Sequence, residues 1–213
     1  VERFFRLHSF VGFPNRSQAR PADGSVGGRL PVPLMPRLTE VVGLAASLDE
    51  LWDFFSTAQN LAPLTPPDQK LRVGKGGDQR IVPGLEIEIS VAPMLGIRTG
   101  WRTLIMEVEE PGLPSGQAWF RDIQESGPFA LWDHTHAFRA LPDGGTAVMD
   151  LVEYKLPAGR LGQAVAGFWV RRQVQGLFAY RKAALHKKFG PMRIPEDLQQ
   201  GWDVQGASSK EAR

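Results

Sequence analysis

The 213-residue chain contains no cysteine. That excludes disulfides, thiolate catalysis and cysteine-ligated zinc, and it favours a reducing compartment such as the cytoplasm. Long apolar runs are also missing, and none approaches the ~20 residues that a membrane-spanning helix needs. Nucleotide-binding glycine loops, zincin and EF-hand patterns, and a serine in nucleophile-elbow context are all absent. Acidic residues are unevenly missing. Residues 160–190 hold seven Lys or Arg and no acid, a net +7, whereas residues 39–159 hold nine basic residues against seventeen acids, a net −8. Residues 1–38 carry six Arg against two acids, and the whole chain comes to +2. A basic segment of this size could meet an anionic surface or nucleic acid. The reading adopted is a solvated basic face, with no nucleic-acid partner.

What is present is ordinary for a soluble globule: 42% hydrophobic and 23% charged residues, enough for one ample domain with tails. Residues 1–36, rich in Arg, Gly, Pro and Ser, read as a leader or flexible extension. Residues 37–190 form the body, and residues 191–213 read as a flexible tail. Within the body a β-branched strand (38–47) leads into LDELWDFFSTAQNL. There Ser47 stands three residues before Glu50 as a capping box, and Leu48, Leu51, Trp52 and Phe55 fall at helical spacing. Pro63, Pro66 and Pro67 end that helix.

Six strand candidates follow, at 70–76, 84–93, 100–111, 118–127, 129–141 and 146–156. Short Gly, Pro and Asp links between them favour antiparallel neighbours. The last long segment, to Phe189, has two apolar stripes at 100° per residue. Leu161, Ala164, Val165 and Phe168 form one. Val170, Val174, Leu177, Phe178, Ala184 and Leu185 form the other. The change near Gly167 predicts a short first segment, a bend and a main helix. Arg181 falls in the middle of the second stripe. The economical packing is α+β: a curved antiparallel sheet of about seven strands around a long C-terminal helix, with one or two short helices after the first strand and a cavity between sheet and helix.

Several segments, in this order, resemble a known superfamily. They are LWDFFSTAQNLAPLTPP (51–67), GW (100–101), FRD (120–122), GPFALWDHTHAF (127–138), GGT (144–146), DLVEYKLPAGRLG (150–162) and FAYRKAAL (178–185). Together they resemble the SRPBCC superfamily of START-like and Bet v 1-like helix-grip domains, and within it the bacterial polyketide-cyclase-like ligand-binding branch. The resemblance covers the body and neither tail. It implies a pocket for a hydrophobic small molecule or lipid.

The residues that invite a site are Trp132, His134, His136 and Phe138, at every second position and therefore on one strand face. Two imidazoles there could bind a metal or shuttle protons. A metal would need a third ligand, which only Asp150 or Asp122 could supply. The reading adopted is cross-strand hydrogen bonding in a cavity wall, with no metal, no cofactor and no catalytic residue. Pairing 142 with 146 across Asp143-Gly144-Gly145 predicts a register of Phe138 with Asp150, His136 with Val152 and His134 with Tyr154, with Glu153 outside. Arg181 should then pair with Asp122 or Asp150, because a buried guanidinium needs an acid or a ligand anion. Trp101 and Trp132 fall at family-matching positions. The expected ligand-binding set is Trp101, Asp122, Trp132, His134, His136, Asp150, Tyr154 and Arg181. Three functions compete: non-catalytic binding of a lipid- or polyketide-like molecule, a cyclase or aromatase using the cavity His, Asp and Tyr groups, and a protein-interaction domain with a vestigial cavity.

Overall fold

The computed structural model describes residues 35–94, 97–112, 116–199 and 202. The expected leader up to residue 34 lies outside them. Seven strands form one antiparallel sheet: β1 (Arg37–Leu44), β2 (Arg72–Val73), β3 (Glu86–Met94), β4 (Ile97–Glu109), β5 (Gln117–Ser126), β6 (Leu131–Ala140) and β7 (Thr146–Lys155). Their spatial order is β1-β7-β6-β5-β4-β3-β2. From β2 to β7 the chain is a meander, as its short links demand, and β7 meets β1 at the far edge. Register shifts in the β4–β5 pair, at Arg102/Thr103 and Ile105/Glu107, mark bulges that bend and coil the strands.

The long connection from β1 to β2 crosses the sheet and carries α1 (Leu48–Phe55) and a 3₁₀ segment, Ala58–Leu64. The Ser47 hydroxyl accepts the Glu50 backbone N–H at 3.2 Å, so the cap expected from the sequence forms. The helix is shorter than the predicted 48–61. The Ser56 hydroxyl donates back to the Trp52 carbonyl at the helix end, and the 3₁₀ segment then accommodates Pro63. Leu51, Trp52 and Phe55 are buried beneath β5 and β6, where Trp52 meets Phe120 and Phe138 edge-on.

A single helix, α2 (Gly159–Phe189), runs along the sheet. The predicted short first segment is not separate: the helix is unbroken through Gly167. The inward face is continuous through Gly162, Ala166, Val170, Val174, Phe178, Arg181 and Leu185. Its first turns carry small residues, so the larger Leu161, Val165 and Phe168 dominated the periodicity although they point outward. His186, Lys187 and Lys188 stand in the last turn, where the helix dipole favours cations.

The predicted tail is also corrected in its first part. Pro191 bridges to Leu44, the Met192 N–H donates to the Gly43 carbonyl at 2.9 Å, and a short helix α3 (Glu196–Gln199) follows. β1 is an edge strand with backbone groups left to satisfy, and this segment satisfies some of them. Only glycine fits at 43, where any Cβ would collide with the Met192 carbonyl. The molecule is therefore α+β with a helix-grip architecture.

Candidate ligand-binding site

Strand alternation builds the site. On β5 the inward residues are Ala118, Phe120 and Asp122. On β6 they are Trp132, His134, His136 and Phe138, and on β7 they are Val148, Asp150, Val152 and Tyr154. Outward residues make surface pairs instead, such as Arg121 with Asp133 at 2.6 Å. The inward parity matches the sequence reading, with Tyr154 inside and Glu153 half-buried. The register does not match: it is displaced by two residues, so that Trp132 faces Tyr154, His134 faces Val152 and His136 faces Asp150. The cause lies in the turn. The Leu141 N–H bonds to the Gly145 carbonyl, and the loop is Pro142-Asp143-Gly144, with Gly144 at φ 85°. Proline suits the first corner of such a turn and has no N–H to give a ladder; glycine takes the left-handed corner.

The displaced register puts Asp150 behind both imidazoles. Its Oδ1 lies 3.0 Å from His134 Nε2, 2.8 Å from His136 Nδ1 and 3.3 Å from Arg181 Nη1. The contacts to His134 and Arg181 are hydrogen bonds, whereas the His136 contact is close but poorly aligned for one. Asp122 faces His134 across β5 and β6, and its Oδ2 lies 3.9 Å from His134 Nδ1 and 3.5 Å from His136 Nε2. The two rings sit 3.8 Å apart, and Phe120 stacks on His136 at 4.3 Å. All five polar side chains are buried.

Electrostatics sorts them. Burial would push the Asp150 carboxyl up, but Arg181, the His134 hydrogen bond and the close His136 imidazole hold it well below the usual carboxylate range. Burial and the neighbouring His136 ring push His134 down. Burial also works against a charged His136, yet Asp122 and Asp150 outweigh it and raise this ring, making it the more basic of the two. Burial raises the Tyr154 phenol.

A cavity of about 380 Å³ lies between the sheet and α2, within the range of small-molecule sites. Trp101, Asp122, Trp132, His134, His136 and Arg181 line it; Asp150 and Tyr154 do not. Asp150 sits behind the histidines, and Tyr154 is buried against Phe129 and Trp132. Along β6 the wall changes character. Phe138 belongs to an apolar cluster with Trp52, Phe55 and Phe120. Trp132 belongs to another with Tyr154, Val174 and Phe178, edged by Trp101 and Phe129. The histidine pair stands between them.

No protein-family model matches the chain, and no curated protein sequence does. Solved structures do share its architecture. TTHA0849 from Thermus thermophilus superposes with a TM-score of 0.53 at 17% identity, covering 72% of this chain and 96% of that one. The Zhui aromatase/cyclase from Streptomyces sp. R1128 gives 0.52 at 15% identity, covering 72% and 93%. A START superfamily protein from Mycobacterium smegmatis gives 0.50 at 13% identity, covering 72% and 96%. The chain has the helix-grip fold, shared with a START superfamily protein and an aromatase/cyclase at low sequence identity. In this helix-grip protein, sequence reasoning passed over Phe120 and Phe129 as site residues. Phe120 shares its strand face with Asp122, and that parity was the available signal. Phe129 precedes β6 and is brought to Trp101 and Trp132 only by the fold.

Proposed function

We propose that the protein binds a hydrophobic or amphipathic small molecule, lipid- or polyketide-like, in the cavity between sheet and α2, without transforming it. The observation that carries this reading is an apolar cavity whose wall holds two buried donors, the Trp101 indole N–H and the Arg181 Nε–H. Neither has a hydrogen-bond partner among the described residues. An unmade hydrogen bond in such a place costs about 1–3 kcal/mol. A ligand with an apolar body fits this lining, and an oxygen acceptor on it fits the guanidinium of Arg181. Trp101, Asp122, Trp132, His134, His136 and Arg181 are the proposed contacts, with Asp150 and Tyr154 supporting them from behind. A cyclase or aromatase reaction that used Tyr154 as an acid–base group would need that phenol on the cavity surface, and it lies behind the wall.

No described helix is long and apolar enough to cross a membrane. The cysteine-free sequence suits a reducing bacterial cytoplasm, which we propose as the setting.

Native mass spectrometry of the full chain, together with titration of an environment-sensitive apolar dye, tests the reading. Saturable one-to-one dye binding, lost when Ala166→Trp fills the cavity, is the expected result. A wild-type protein that carries no small molecule and binds no dye would overturn it.

A further inference from the structure

Three donors on the cavity wall converge. One ligand atom each from Asp122, His134 and His136 lie within 4.8 Å of one another, and all three side chains are buried. The hydrogen-bond network fixes which ring atoms face inward. Asp150 can only accept, so His134 carries its proton on Nε2 and turns the Nδ1 lone pair towards Asp122. His136 directs Nδ1 at the same Asp150 oxygen and turns Nε2 towards Asp122. The His134 Nδ1 lone pair and His136 Nε2 therefore both face one carboxylate oxygen in a buried wall. A single proton between His136 and Asp122 would still leave His134 Nδ1 facing the anion. A cation among the three satisfies every donor.

We propose that Asp122, His134 and His136 form a site for one first-row divalent metal ion of the zinc type, with an open coordination position on the cavity. Imidazole–imidazole–carboxylate sets suit such ions, and three protein ligands leave a fourth position free. Tetrahedral coordination at about 2.1 Å places ligand atoms roughly 3.4 Å apart. The separations from Asp122 are 3.5 and 3.9 Å and all three atoms lie within 4.8 Å of one another, so closure asks for a shift of about half an ångström at Asp122 and of up to roughly 1.4 Å between the two imidazole nitrogens. His134 and His136, two apart on β6, share a face without backbone rearrangement.

The surroundings fit the same assignment. Asp150 stands on the far side of both rings, as the carboxylates that orient metal-bound histidines do, and Arg181 keeps it ionised. With neutral rings, Asp122, Asp150 and Arg181 sum to one negative charge, which a divalent ion turns to a single positive one. The open position then faces the cavity, where an oxygen of the cargo could complete the coordination. The metal site stands independently of what that cargo is.

The test uses the full chain without a histidine tag, stripped by chelator and dialysed. Zn²⁺ is titrated calorimetrically, Co²⁺ binding is followed by its visible absorption, and histidine ring signals are followed by NMR as Zn²⁺ is added. Saturable binding of one ion per chain is expected, and Asp122→Asn and His134→Ala should weaken it at least tenfold. Asp150→Asn should weaken it by about ten- to a hundredfold through lost orientation. His186→Ala, in the last turn of α2 and outside its inward stripe, should bind as the parent does. If the substituted chains fail to fold, the unsubstituted protein decides. Ring signals of His134 and His136 should move with Zn²⁺ while those of the other two histidines stay. Absent or non-saturable binding, binding unchanged in Asp122→Asn, or shifts confined to the other histidines would overturn the assignment. Dye binding is read separately, so a protein that holds metal but no apolar dye would refute the proposed cargo and leave the metal site standing.

Discussion

The two apolar stripes of α2 meet opposite fates. Val174, Phe178 and Leu185 are 6%, 2% and 0% exposed, whereas Leu161, Val165 and Phe168 are 70%, 80% and 82% exposed. Their side chains are similarly apolar, so composition does not explain the contrast. What differs is the opposite surface. The second half of the helix lies on the sheet's inward face, and Phe178 packs edge-on against His134. In the first half the inward positions are Gly162 and Ala166, whose small side chains leave room for the cavity. An apolar stripe identifies a surface that would gain from burial; it does not show that a partner is present.

The sharpest way to break this contrast is at Arg181, the one charge on the buried stripe. Arg181→Ala leaves Asp150 without its guanidinium and should cost about 4 kcal/mol, because removing one member of a buried pair strands the other. Urea unfolding measures it, and a loss below about 0.5 kcal/mol would mark Arg181 as a surface residue in solution. The same substitution should alter the acid limb of stability in chelator-treated protein. A carboxyl held low in the folded state contributes stability that is fully present above its unfolded value near ~3.9 and is lost as pH falls through the folded value. The parent should therefore lose stability below about pH 4. Arg181→Ala, with a smaller depression at Asp150, should lose less over that range.

A paired truncation sharpens the contrast between halves. Phe178→Ala removes a ring from the buried stripe and should cost about 3 kcal/mol. Phe168→Ser, ten residues earlier on the exposed stripe, should change unfolding free energy by no more than about 0.5 kcal/mol. Equal effects at the two positions would mean that the first turns of α2 are covered in solution.

Much of the fold was legible because it rests on short-range rules. Alternation in Leu85, Ile87 and Ile89, the Ser47 cap and the Gly-Pro links are local signals, and the strands fall close to where those signals place them. Arg181 stood out for a similar reason, as a charge inside a 3.6-residue stripe. The details that make the site were less accessible. Whether His136 or Phe138 lies opposite Asp150 depends on which residue opens one hairpin. Reading Pro142 as the last strand residue rather than the first turn residue moved every pair by two. Strand parity survives an even displacement, so the right residues faced inward while the wrong ones were paired. The meeting of Asp122 with both imidazoles needs the β5–β6 register as well, and no local signal sets it.

Residues 191–192 have a consequence for how the molecule behaves in company. An open sheet ends in two rows of unpaired amides, and such rows recruit other strands into aggregates. Here one row is short, since β2 has only two residues, and the other is partly occupied where Met192 bonds to Gly43 and Pro191 meets Leu44. Proline at that place offers no amide for a further strand. A chain cut after Gly190 would keep its cavity wall and lose this guard on β1, exchanging a self-limited sheet for one with an adhesive margin.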